Sequence, residues 1–136
     1  MLFVSYAKQD AQKHDDVAGP GNGFVDVFDT DGHLLRRSAI RGRLNSPWGM
    51  ARASYAFGRF SGLILIGNFG DGHISVFNSD GHFVDQLEDA HGMIDGLWSL
   101  TLGGGAKSNP DTLYFTAGPN GETDGLFGTI APVSKP

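Results

Sequence analysis

The chain contains no cysteine. That removes a disulfide framework, a thiolate nucleophile and a cysteine-ligated zinc site. It leaves the compartment open, because secreted proteins can also lack cysteine. Proline is sparse, at 6 residues, and only 18% of the chain is charged. Positive charge is the scarcer sign, with 10 Lys and Arg against 15 Asp and Glu and a formal net charge of −5. A nucleic-acid partner asks for a basic stripe, so none is expected. Arg36, Arg37, Arg41 and Arg43 do cluster, but with no interleaved aromatic platform, and read as a solvated strand end. No apolar run approaches the ~18 residues that would cross a bilayer, so no membrane partner is expected. The apolar start, residues 1–6, runs straight into a polar stretch and reads as a strand, not as a signal peptide. No apolar stripe of helical period extends far enough to argue for a helical solenoid.

What the chain has instead is glycine, 21 residues, and phenylalanine, 10 residues. Such a composition suits short strands joined by tight turns. The 136 residues suffice for one domain with one sizeable core, so residues 1–136 are read as a single unit.

An internal repeat organises that unit. Phe24-Val25-Asp26-Val27-Phe28-Asp29-Thr30-Asp31-Gly32-His33 returns as His73-Ile74-Ser75-Val76-Phe77-Asn78-Ser79-Asp80-Gly81-His82, at an offset of 49. Leu63–Asn68 returns as Thr112–Ala117 at the same offset, and Trp48 returns as Trp98 at 50. The full repeat holds four expected strands, near 48–53, 62–68, 73–78 and 82–87. Asp29-Thr30-Asp31-Gly32 and Asn78-Ser79-Asp80-Gly81 suit a type I turn closed by a left-handed glycine. Four strands in about 49 residues with Gly/Asp/Asn turns is the layout of a propeller blade. The expected fold is therefore all-β, a β-propeller fragment of about two and a half four-stranded antiparallel blades. Residues 2–37 form a partial blade, 47–88 a full blade and 96–131 a second partial blade. Two open sheet faces rich in Val, Ile, Leu and Phe are expected to drive self-association into a homo-oligomeric ring.

The strings LFVSYAKQDAQKHDDVAGPGNGFVDVFDTDGHLLRR, LNSPWGMA, NFGDGHISVFN, IDGLWSLTLG and TLYFTAGPNGETDGLFGTI resemble the C-terminal part of an uncharacterised bacterial β-propeller family. The resemblance covers nearly the whole chain. It implies a longer parent protein, often exported, in some members ending in a Pro-Glu-Pro (PEP-CTERM) sorting tail. Residues 131–136 stop without that motif. The resemblance implies no activity at any particular residue.

Candidate chemistry is thin. The insertion Ala7–Asn22 joins two strands that the next repeat joins with a few residues, and long loops often carry function. Its Asp10, His14, Asp15 and Asp16 offer carboxylate and imidazole ligands for a possible divalent cation. Asp29-Thr30-Asp31-Gly32 invites a calcium-loop reading, but such a loop wants a further oxygen ligand before it and a Glu after it, where Val27 and Ser38 stand, so the turn reading is preferred. Gly103-Gly104-Gly105-Ala106-Lys107-Ser108 misses the spacing of a phosphate-binding loop. His33 and His82 follow equivalent turn glycines and read as structural. Asp71, Asp89, Asp95 and Asp124 fall in inter-strand loops, which in propellers surround the central opening. No cofactor motif is present. The leading expectation is a noncatalytic scaffold or binding module that assembles with itself. The second is a metal-dependent propeller enzyme of the lactonase or lyase kind.

Overall fold

The computed structural model describes residues 1–40, 42–88 and 91–133. They form ten strands in three antiparallel sheets. The first sheet holds β1 (Leu2–Ala7), β2 (Gly23–Phe28) and β3 (Leu34–Ile40). The second holds β4 (Pro47–Arg52), β5 (Ile64–Asn68), β6 (Ile74–Phe77) and β7 (Phe83–Leu87). The third holds β8 (Leu97–Leu102), β9 (Leu113–Ala117) and β10 (Leu126–Ile130). Within each sheet the strands pair in chain order, each with the next. Among the described residues, helix is confined to single turns at Gly58–Phe60 and Pro119–Glu122. The fold is all-β.

The repeat is visible in the turns. Gly32 and Gly81 both sit in the left-handed region, at φ 87° and 86°. The strand pairs they close each carry a register shift at the same place, after Val27 and after Val76. Glycine has no Cβ penalty there, which is why the hairpin can close in so few residues.

Alternation along the strands sorts side chains into two cores. Val25, Ala39 and Phe3 of the first sheet pack with Ile66, Phe77, Met50 and Ile64 of the second, and Leu44 of the intervening connection joins them. The other face of the second sheet, with Leu65, Ile74, Val76 and Leu87, packs on Leu97, Leu100, Leu113 and Phe115 of the third. The second sheet is thus buried on both faces, which its apolar β5 requires. β1 lies alongside β4, β5 alongside β8, and β4 against β8. At the last contact a Cβ on Gly49 would meet the Trp98 carbonyl oxygen at 2.6 Å, so only glycine fits.

Of the two outer faces, that of the third sheet differs from the expectation of Val, Ile, Leu and Phe, whereas that of the first sheet carries Leu, Val and Phe as expected. On the third sheet the free face carries Ser99, Thr101, Thr116 and Thr129, with Tyr114 stacked on Phe127 at 6.0 Å. The period of two sends the large aliphatic residues of β8 and β9 inward and leaves hydroxyls outside. The free face of the first sheet carries Leu2, Val4, Tyr6, Phe24 and Phe28, crossed by a charged pair. Arg37 donates to Asp26 at 2.8 and 3.1 Å and lies 3.7 Å over the Phe24 ring, so that Asp26 is only 5% exposed. Trp48 is 57% exposed and tilts against Phe69 at 6.1 Å.

Candidate functional site

The long loop between β1 and β2 is a folded arm. Gln9 bridges Asp16, Val17 N–H donates to the Lys8 carbonyl at 2.8 Å, and Asp10 N–H to the Asp15 carbonyl at 2.9 Å. Lys13 turns the tip in the left-handed region. The Asp10 carboxylate accepts the His14 N–H at 2.8 Å, and the Asp15 carboxylate accepts the Asp16 N–H at 3.0 Å. His14 and Asp15 are exposed, while Asp10 and Asp16 are half-buried. The arm therefore turns two of its expected ligand carboxylates onto its own backbone. Among the described residues, the one group of three or more ligand-type side chains with atoms within 4.8 Å of one another is Asp29, Asp31 and His33, and the arm's four are not in it.

The arm's base is fastened across sheets by a buried amide hub. Gly19 N–H donates to Asn45 Oδ1 at 2.7 Å, and Asn45 N–H donates to Asn68 Oδ1 at 3.0 Å. Asn68 Nδ2 reaches the Arg43 carbonyl and Ser75 Oγ, each at 3.1 Å, and Ser75 Oγ donates to the same carbonyl at 2.9 Å. Sequence reading passed over Asn68, although it is an amide at the end of a wholly apolar strand. Such a residue survives burial only when its donors and acceptor are all used.

The loop carboxylates are engaged in the same way. Asp71 accepts from His73 N–H at 3.0 Å and from Asn45 Nδ2 at 3.4 Å. Asp95 accepts from Asn120 N–H at 2.9 Å, and Asp124 from Asn120 Nδ2 at 2.6 Å. Glu122 accepts from Trp98 Nε1 at 2.9 Å. Asp89 lies outside the described residues. Each of these four described carboxylates holds a loop, not a neighbouring acid.

At the opposite end of the first sheet, Asp29 Oδ1 accepts from Asp31 N–H at 3.0 Å and His33 N–H at 2.8 Å, while Oδ2 meets His33 Nδ1 at 2.9 Å. The His33 backbone N–H, then its ring, hold the Asp29 carboxyl below the usual range. The equivalent turn builds the same bonds with an uncharged residue. Asn78 Oδ1 accepts from Asp80 N–H and His82 N–H, each at 3.0 Å. A feature that an amide reproduces is a turn device first.

No family model matches the chain, and no solved structure matches it. It is similar to three proteins of Acanthamoeba polyphaga mimivirus. The protein titled "Uncharacterized protein L690" is 36% identical over 133 residues, 95% of this chain and 35% of that protein. "Uncharacterized protein R648" is 34% identical over the same length, with 32% of that protein covered. "Uncharacterized protein R640" is 35% identical, with 24% covered. The chain thus spans about a third or less of these relatives. The resemblance to a bacterial β-propeller family is corrected by this finding, because the relatives are viral. The export route and sorting tail that it implied fall with it. The physical reason lies in the strings themselves. Motifs such as Asp29-Thr30-Asp31-Gly32-His33 are set by hairpin geometry, which any lineage building such turns reaches. No helix among the described residues is long and apolar enough to cross a membrane.

Proposed function

We propose that this chain is a noncatalytic β-propeller scaffold, a run of consecutive blades that associates with further copies of itself through its two open sheet faces. The supporting observation is that the packing step from the first sheet to the second recurs from the second to the third. β1 meets β4 as β5 meets β8. Within the sheets the repeat also holds: Phe69 N–H donates to the Ser46 carbonyl where β5 leaves β4, as Gly118 N–H does to the Gly96 carbonyl where β9 leaves β8, both at 2.9 Å. A repeated step between twisted sheets generates a ring if it closes. The polar face of β8 to β10 and the aromatic, arginine-crossed face of β1 to β3 are unlike each other. They therefore favour a head-to-tail contact over a self-complementary one. The loop carboxylates Asp71, Asp95, Glu122 and Asp124, each engaged with neighbouring donors, favour a scaffold over acid–base chemistry.

Light scattering after size exclusion tests the reading. A discrete oligomer at micromolar concentration is expected. A Val4→Asp variant, with its charge on the free face of the first sheet, should then elute as a monomer with unchanged circular dichroism. A monomeric wild type would contradict self-assembly.

A further inference from the structure

We draw no further inference here: the strongest candidate, the Asp29, Asp31 and His33 side-chain cluster at the β2–β3 turn, is an acidic cluster whose hydrogen bonds are those of the turn itself, and no second observation among the described residues points to a cation there.

Discussion

Ser46 and Gly96 occupy the same place in successive repeats, and both lie in the left-handed region, at φ 48° and 64°. Ser46 is 2% exposed, and its hydroxyl has no hydrogen-bond partner. Strain and an unsatisfied buried hydroxyl thus coincide where the next repeat uses glycine. Ser46→Gly should raise unfolding stability by about 1 kcal/mol, the net of relieved strain against a more flexible unfolded chain. Urea melts would check this, and a clear loss of stability would contradict it.

The two hairpin glycines should respond unequally to one methyl group. A Cβ on Gly32 meets nothing within 4 Å, whereas on Gly81 it would run into the Ser38 backbone carbonyl. Gly32→Ala should cost about 1 kcal/mol, the strain of the left-handed region alone. Gly81→Ala should cost about 3 kcal/mol or more, because overlap with backbone adds to that strain. Equal losses in paired thermal melts would argue against the packing of the second hairpin on β3.

Asp29 gives the chain an acid-sensitive turn. Its folded pKa is depressed by the His33 N–H and ring. A depressed carboxylate contributes stability that is present above its unfolded pKa, about 3.9, and lost as pH falls through the folded value. Asp29→Asn keeps the turn bonds, as Asn78 shows, but removes the titration. Below about pH 4 the melting temperature of wild type should therefore fall more steeply than that of Asp29→Asn. Parallel curves would sink the assignment.

The β4–β5 loop should owe its stability to the phenylalanines and not to the ion pair. Phe60 is buried, whereas Arg59 is 63% exposed in its pair with Asp85. Phe60→Ala should cost about 3 to 5 kcal/mol, and Arg59→Ala less than about 1 kcal/mol. Denaturant midpoints of the two variants would decide the order.

Much of the strand layout was legible because the repeat displays it twice. The expected strand 73–78 is β6 at Ile74–Phe77, and 62–68 is β5 at Ile64–Asn68. The turns were legible because Gly32 and Gly81 follow Asp and Asn at fixed distances, a local signal. The polarity of the third sheet's free face is also written in the alternation of Leu113-Tyr114-Phe115-Thr116-Ala117. Reading it required knowing which parity faces the second sheet, and that is a tertiary fact. The Asn45–Asn68 hub joins residues 23 apart, one in the β3–β4 connection and one at the end of β5, and no window of sequence shows it. The ion pair between Arg37 and Asp26 was hidden for a similar reason. The arginine cluster suggested a solvated strand end, yet Arg37 folds back over Phe24.

The most direct test of the propeller account is an electron cryomicroscopy structure of the chain in its assembled form. The account predicts that β8 to β10 of one copy pack on β1 to β3 of the next, with the spacing and rotation that relate the second sheet to the third. A two-fold contact between identical faces, or sheets that fail to progress around a common axis, would contradict it.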